Sequence, residues 1–273
     1  MPKGPSSFRH YLDQLSGWRG FTRDFLFQRH HALPYAPAVV PSAHGRTQPR
    51  RVLRIAHRGA SGYAPENTRA AFRKALELSA DMIELDVRRT RDHELVVCHD
   101  SRLDRIAGVP VALRELSYAE LAHVSINGEP IPRLADVLSD LAGACEVNIE
   151  LKERGLAAAA AAVVKALNCQ WRVLFSSFRP TELLHLKALD PSLRVAVLLT
   201  AVPATVGAAL RFARLVQAEA IVVAHGAFRR RLLTASHREG LRLFVWTVDD
   251  AEVIAHLKVL GVDGIISNYP DLI

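Results

Sequence analysis

The chain has little cysteine, and its three cysteines form no recognisable pair. Cys98, Cys145 and Cys169 are an odd number, and they lie too far apart in the sequence for a zinc-binding motif. We therefore expect reduced thiols in the protein core. This excludes a small secreted scaffold stabilised by disulfides and a metal site built from cysteines.

Long apolar segments are also missing. The chain has no stretch of about 20 apolar residues, and its first 30 residues lack the uninterrupted apolar core of a secretory signal. The sequence therefore predicts a protein without a transmembrane helix, located in the cytoplasm. Hydrophobic residues still make up 49% of the 273 residues, enough to bury a large core.

Most of the chain has no excess of positive or negative charge. Up to residue 54 there are nine lysines and arginines against two acidic residues, whereas the remainder has 26 of each. The net charge of +7 therefore belongs to the start of the chain, which does not indicate a nucleic-acid-binding domain.

This basic start carries an apolar stripe at helical spacing, formed by Phe8, Leu12, Leu15, Trp18, Phe21 and Phe25. Such a helix could contact an anionic membrane peripherally through residues 8–29, or it could dock on the rest of the protein, which is the favoured alternative. The proline-containing residues 32–50 indicate a linker. We predict a basic amphipathic extension and linker over residues 1–50 and one domain over residues 51–273.

Short apolar runs alternate with helical patterns in that domain. Strands are predicted near residues 52–58, 82–88, 146–151, 171–176, 194–199, 220–224, 242–248 and 264–267. Helices are predicted over 155–167, 180–189, 204–215, 229–238 and 250–260. The alternation and the length are typical of an α/β fold, the (β/α)8 TIM barrel of about 250 residues. Residues 94–98 are predicted to form a short hairpin with the second strand.

Residues 101–145 separate this hairpin from the third barrel strand. Only a turn at 107–110 and two helical stretches, 118–123 and 134–142, are predicted there. Such a compact segment favours an open and permissive mouth.

Charged and acid-base side chains gather where predicted strands end. Glu84 and Asp86 share one face of the second strand, and Glu150 and Lys152 share one face of the third. Because the carboxyl ends of parallel strands meet at one mouth, these groups should converge with His57, Arg58 and His99, which follow other strands. Oxygen ligands of this kind suit Mg²⁺ or Ca²⁺ better than zinc.

Glu66 has a more ordinary explanation. Pro65 is predicted to begin a helix, so Glu66 would lie in the first helical turn and interact with the helix dipole. Its carboxylate could also orient Arg58.

Eight fragments in this order resemble the glycerophosphodiester phosphodiesterase family. They are His57-Arg58-Gly59, Pro65-Glu66-Asn67-Thr68, Glu84-Leu85-Asp86-Val87, His99-Asp100, Ile131-Pro132-Arg133-Leu134, Asn148-Ile149-Glu150-Leu151-Lys152, Trp246-Thr247-Val248 and the segment from Asp263 to Pro270. The family often has an acidic residue where this chain has Asn268. That difference makes one side-chain contact uncertain and leaves the active centre intact.

The resemblance implies a hydrolase of lipid or glycerol metabolism, a metal-dependent phosphodiesterase that converts glycerophosphodiesters to sn-glycerol 3-phosphate and an alcohol. The implied site residues fall into three groups: Glu84, Asp86 and Glu150 hold one divalent cation, Mg²⁺ or Ca²⁺; His57 and His99 act as general acid and base; Arg58, Lys152 and Trp246 contact the substrate. Which histidine is the acid stays open, as does a cyclic phosphate intermediate.

Two alternative functions remain. A lysophospholipase D or a sphingomyelinase-D-like enzyme uses a similar barrel with the same three acids. A non-catalytic phosphate-binding barrel is disfavoured because both histidines and all three acids are present. The expected partner is a small-molecule glycerophosphodiester, with no nucleic acid.

Overall fold

The computed structural model describes residues 51–201 and 205–273. The predicted extension and linker, residues 1–50, lie outside the described residues, so their helix and membrane contact stay predictions. Within the described part of the chain, no helix is both long and apolar enough to cross a membrane.

Eight parallel strands form a closed barrel. In chain order they are β1 (Leu53–His57), β2 (Met82–Arg89), β6 (Glu146–Leu151), β7 (Val173–Ser177), β8 (Arg194–Leu199), β9 (Ala220–Ala224), β10 (Arg242–Trp246) and β11 (Gly264–Ser267). Neighbours in this order pair along the sheet, β11 pairs with β1, and β1 pairs with β2, which closes the barrel. The predicted TIM barrel is confirmed.

Helices connect the strands on the outside of the barrel. They are α1 (Arg69–Glu77), α4 (Leu134–Asp140), α5 (Ala157–Ala166), α6 (Pro180–Leu189), α7 (Val206–Leu215), α8 (Arg230–Arg238) and α9 (Ala251–Leu260). The shorter helices α2 (Asp104–Ala107) and α3 (Tyr118–Leu121) belong to the segment between the second and third barrel strands. Apolar side chains of the strands and helices form one large buried core between the two layers.

A second, smaller apolar cluster fills the barrel interior. It includes Phe244, Ile55 and Met82, all fully buried. Gly264 makes room for this cluster, because a Cβ atom there would lie 2.7 Å from a ring carbon of Phe244 and 2.9 Å from Cδ1 of Ile55. The interior is therefore packed with side chains, and chemistry is confined to the mouth at the carboxyl ends of the strands.

The start of α1 differs from the prediction. The helix begins at Arg69, and the hydroxyl of Thr68 accepts a hydrogen bond from the Ala71 amide as its N-cap. Glu66 thus precedes the helix, and the prediction that it lies in the first helical turn is wrong. Its carboxylate instead accepts a hydrogen bond of 2.9 Å from Arg58.

The segment after β2 holds more structure than predicted. β3 (Leu95–Val97) pairs antiparallel with β2, as expected for the hairpin. The short strands β4 (Ser125–Ile126) and β5 (Glu129–Pro130) form a further hairpin. Seven buried residues give the segment its own apolar cluster: Val96, Cys98, Leu103, Leu113, Leu121, Ile126 and Ile131. Elements of two to four residues are too short to show a periodic pattern, so only packing defines them.

Candidate active site

Three buried carboxylates lie at the mouth of the barrel. Glu84 and Asp86 project from β2 and Glu150 from β6, and the pairing of these strands places Asp86 opposite Glu150. One carboxylate oxygen from each lies within 4.8 Å of the other two. The alternation of side chains along a strand therefore brings together the three acids that the sequence singled out.

The three carboxyl groups of this cluster have shifted pKa values. Burial, with repulsion from Asp86 and Glu150, raises the pKa of Glu84 well above its ordinary value. Burial and repulsion from Asp86 raise the pKa of Glu150 to about 7. Burial also opposes ionisation of Asp86, but Lys152 and Arg58 hold its pKa below the ordinary value. Three carboxylates that resist joint ionisation are suited to a divalent cation, which would neutralise them together.

Two basic side chains line the same cluster. Lys152 Nζ lies 2.7 Å from Glu150 Oε1 and 3.3 Å from Asp86 Oδ1. Arg58 Nε lies 3.2 Å from Asp86 Oδ2. Both basic side chains are mostly buried, with 12% and 17% of their surface exposed, so their charges act with little screening by solvent.

The backbone of the first loop holds Arg58 in place. Arg58 has φ of 54°, in the left-handed region that few non-glycine residues adopt, and its amide donates a hydrogen bond of 3.0 Å to Glu84 Oε2. Gly59 follows with φ of 81°, and a Cβ atom there would lie 2.7 Å from the backbone of Ala71. Glycine at this position therefore lets the loop pass close to helix α1.

Asn67 is a site residue to which the sequence assigned no role beyond its place in the fragment Pro65-Glu66-Asn67-Thr68. It is buried, with φ of 59°, and its side chain contacts Asp86 twice. Nδ2 donates to Asp86 Oδ2 at 2.9 Å, and Oδ1 accepts from the Asp86 amide at 3.2 Å. Asn67 thereby fixes the orientation of the central carboxylate.

Both predicted histidines lie at this mouth, and each uses Nδ1 for a hydrogen bond. His57 Nδ1 lies 2.7 Å from Asn268 Oδ1, and His99 Nδ1 lies 2.6 Å from Asp100 Oδ1. Burial lowers the pKa of both rings; Arg58 adds to this at both, Lys152 adds to it at His99, and Asp86 opposes it at both. The contact left uncertain by the change to Asn268 is therefore made, with His57 as its partner.

Arg105 connects the His99–Asp100 pair with the Glu66–Arg58 pair, and the sequence did not predict it as a site residue. It lies in α2, and its Nε donates to Asp100 Oδ2 at 2.6 Å. Nη2 and Nη1 donate to Glu66 Oε1 and Oε2 at 2.7 and 3.0 Å. A chain of charged contacts thus runs from His99 through Asp100, Arg105 and Glu66 to Arg58.

Trp246 ends β10 and lies on another part of the same rim. Its ring packs edge-on against Phe178, which follows β7, with 5.7 Å between the ring centroids. Its indole Nε1 is buried and has no hydrogen-bond partner among the described residues. The two aromatic rings give this part of the mouth an apolar wall.

Comparisons with known proteins agree with this geometry. The model of the glycerophosphoryl diester phosphodiesterase family matches residues 57–272. The chain belongs to this family. A glycerophosphodiester phosphodiesterase from Caldanaerobacter subterraneus is 34% identical over 238 residues, which cover 81% of this chain and 96% of the relative. As a family member, the protein is a phosphoric diester hydrolase that acts on glycerophosphodiesters.

Two solved structures of phosphodiesterases share the fold. A glycerophosphodiester phosphodiesterase from Agrobacterium tumefaciens is 30% identical, with a TM-score of 0.73 over 81% of this chain and 98% of that one. A phosphodiesterase from Oleispira antarctica, solved with its product sn-glycerol-3-phosphate, is 26% identical, with a TM-score of 0.73 over 80% of this chain and 93% of that one.

Proposed function

We propose that the protein hydrolyses glycerophosphodiesters to sn-glycerol 3-phosphate and an alcohol, with one divalent cation, Mg²⁺ or Ca²⁺. The observation that carries this proposal is the cluster of three buried carboxylates within 4.8 Å, lined by Arg58 and Lys152. Such a cluster suits a cation and a phosphate group at the same place.

Glu84, Asp86 and Glu150 would hold the cation. All three are buried, and their carboxylate oxygens are ligands that Mg²⁺ and Ca²⁺ prefer. A bound divalent cation supplies Lewis-acid polarisation of a phosphoryl oxygen. The contacts of Asn67 with Asp86 keep that carboxylate turned toward the cluster.

Arg58 and Lys152 bind and orient the phosphodiester. The guanidinium of Arg58 can present two parallel N–H groups to two phosphate oxygens, whereas Lys152 acts as a point charge. Glu66 keeps Arg58 in position through its hydrogen bond. The two cations also stabilise the charge that develops on the phosphoryl oxygens during reaction.

His57 and His99 transfer the protons. One imidazole removes a proton from the attacking hydroxyl or water, and the other donates a proton to the leaving alcohol. Each ring is held through Nδ1, which leaves Nε2 for the reacting groups. Trp246 and Phe178 would form the apolar wall against the glycerol or the leaving alcohol.

Hydrolysis of glycerophosphocholine and of lysophosphatidylcholine, each with and without a chelator, tests the proposal. We expect sn-glycerol 3-phosphate from glycerophosphocholine, and no product after metal removal. Preferred cleavage of lysophosphatidylcholine would instead indicate a lysophospholipase D. Binding of glycerol phosphate without turnover of either substrate would indicate a non-catalytic barrel.

A pair of variants makes the metal role specific. Glu150→Gln removes one charge of the cluster, and we expect loss of activity that added Mg²⁺ or Ca²⁺ restores only in part. Glu77→Gln is the control, because Glu77 is exposed at the end of α1, is not one of the three clustered acids, and forms its ion pair with Lys74. Equal activity of both variants would contradict the proposed metal site.

A further inference from the structure

Asn268 is held rigidly at the end of β11. Its amide nitrogen Nδ2 donates to Asp249 Oδ2 at 2.6 Å, and its backbone N–H donates to Asp249 Oδ1 at 2.8 Å. Ser267 Oγ donates a third hydrogen bond to the same carboxylate at 2.9 Å. The backbone carbonyl of Asn268 accepts from the Gly62 amide at 3.0 Å. The side chain and backbone of Asn268 are therefore both anchored.

The partner of Nδ2 decides which way the amide faces. A carboxylate only accepts hydrogen bonds, so the NH₂ group of Asn268 must face Asp249 and the carbonyl Oδ1 must face His57. Oδ1 is itself only an acceptor, so His57 must donate to it from Nδ1. Neutral His57 then carries its proton on Nδ1 and keeps a free lone pair on Nε2.

We propose that Asn268, oriented by Asp249, is a positioning residue that keeps His57 in the Nδ1–H tautomer and makes its Nε2 the general base of the reaction. This inference rests on the proposed function. It assigns a role that the sequence left open between the two histidines, and it gives a reason for an amide at this position.

The second histidine has a different partner. His99 Nδ1 contacts the carboxylate of Asp100, whereas His57 Nδ1 contacts a neutral amide. An adjacent carboxylate stabilises the protonated imidazolium, and an adjacent amide orients the ring without that charge. Arg58 lowers the pKa of both rings, so the partner of Nδ1 is what distinguishes the two histidines. The two environments suit His57 as proton acceptor and His99 as proton donor.

The loop after β1 packs against Asn268 and the residue that follows it. Ser61 Oγ lies 2.7 Å from both Asn268 Oδ1 and the backbone carbonyl oxygen of His57, so its single hydroxyl proton is shared between these two acceptors. A Cβ atom on Gly62 would lie 2.3 Å from the ring of Tyr269, so the loop packs directly on the residue after Asn268. His57 and Asn268 therefore belong to one packed unit and have little freedom to separate.

The test compares four proteins: the wild type, Asn268→Leu, Asp249→Asn and the double exchange Asp249→Asn with Asn268→Asp. The leucine removes the acceptor for Nδ1. The single change at Asp249 removes the group that orients the amide. The double exchange restores an acceptor facing His57 and a donor behind it, so it should recover the tautomer of the neutral ring, while the new carboxylate raises the pKa of His57 and moves the pH dependence of kcat upward.

Two measurements are needed. ¹⁵N long-range correlation spectra at about pH 8, above the ordinary pKa of histidine, show which imidazole nitrogen of His57 carries the proton. A His57→Gln variant assigns its signals among the twelve histidines of the chain. Steady-state kinetics with glycerophosphocholine and saturating Mg²⁺ give kcat and KM separately.

In Asn268→Leu we expect nitrogen signals of His57 that no longer show a proton on Nδ1 alone. We also expect kcat to fall about 100-fold, the range for loss of acid-base catalysis, while KM changes less than about twofold. The double exchange should regain the signals of a proton on Nδ1 and kcat to within about tenfold. His237→Gln is the control, because His237 Nε2 contacts Asp263 Oδ2 at the opposite end of β11 and should leave kcat unchanged.

An unchanged His57 tautomer in both Asn268→Leu and Asp249→Asn overturns the proposal, and so does a changed tautomer with unchanged kcat. If the leucine variant does not fold, the single and double changes at Asp249 decide the question by the same signals. If the wild type hydrolyses no glycerophosphodiester, the proposed function fails, while the nitrogen signals still decide whether Asn268 positions His57.

Discussion

Replacing Arg105 with leucine should uncouple the His99–Asp100 pair from the Glu66–Arg58 pair in the candidate site. The guanidinium makes three hydrogen bonds, one to Asp100 and two to Glu66, and these carboxylates in turn hold His99 and Arg58. The change therefore removes the connection between His99 and Arg58, the arginine that we propose binds the phosphate, although neither is altered. We expect a loss of alignment at both.

The structure sets the size of this effect. Hydrogen bonds to charged groups contribute about 1.5–3 kcal/mol when well shielded. Arg105 is 54% exposed, so solvent screening reduces each contribution to the range of surface ion pairs, about 0.2–1 kcal/mol. Three such contacts give a loss of about 1–2 kcal/mol in the free energy of unfolding. If the same energy orients the site, kcat/KM falls about tenfold.

The pH dependence of the stability loss follows from the two acids. Burial opposes ionisation of Glu66 and Asp100, but Arg105 holds the pKa of each below its ordinary value. A carboxyl with a lowered folded-state pKa adds stability above its unfolded-state pKa of about 4, and that stability is lost as pH falls through the lower folded-state pKa. The difference between wild type and Arg105→Leu should be full at neutral pH and shrink below about pH 4.

Urea unfolding from pH 3 to 7 and kinetics with glycerophosphocholine measure both effects. Arg102→Leu is the matched control: Arg102 has the same 54% exposure, and its guanidinium pairs with Asp104, which holds neither His99 nor Arg58. Arg105→Lys should behave like the leucine variant, because one ammonium cannot bridge two carboxylates as the planar guanidinium does. Equal kcat/KM for Arg105→Leu and Arg102→Leu would refute the reasoning.

Three further changes have clear expected outcomes. Gly264→Ala should lower the free energy of unfolding by about 1–3 kcal/mol in urea, because its Cβ would overlap Phe244, whereas Gly207→Ala in α7, where a Cβ meets nothing closer than 3.6 Å, should be neutral or stabilising. Glu150→Gln should weaken Mg²⁺ or Ca²⁺ binding at least tenfold in titration calorimetry, and unchanged affinity would remove it from the ligand set. Removal of residues 1–31 should reduce sedimentation with anionic liposomes if the aromatic stripe contacts membranes; equal binding would favour docking of the stripe elsewhere.

Much of the barrel could be predicted from patterns along the chain. Strands β6, β8, β9 and β11 and helix α6 have the predicted bounds. Buried parallel strands are continuous apolar runs. The spacing of their apolar residues and the turn residues that bound them are local properties of the sequence. The start of α1 was misplaced because Pro65 is compatible with both a loop and a first helical turn.

Most members of the site were visible in the sequence, since His57, Arg58 and His99 lie at the ends of apolar runs and the three acids lie within such runs. The two-residue alternation of β2 placed Glu84 and Asp86 on one face, and the parallel order of strands brought Glu150 to them. The sequence did not indicate Arg105, because it lies in a four-residue helix that is too short to show a periodic pattern.

The sequence by itself determined the strand-helix repeat, the family and the chemical types of the groups at the mouth, because these depend on residue identity and on spacing over a few positions. Only the tertiary structure decided their partners. Asn268 and His57 are 211 positions apart, and Arg105 and Glu66 are 39 apart. Hydrogen bonds act over about 3 Å, so which donor meets which acceptor is settled only when the barrel closes and its loops pack.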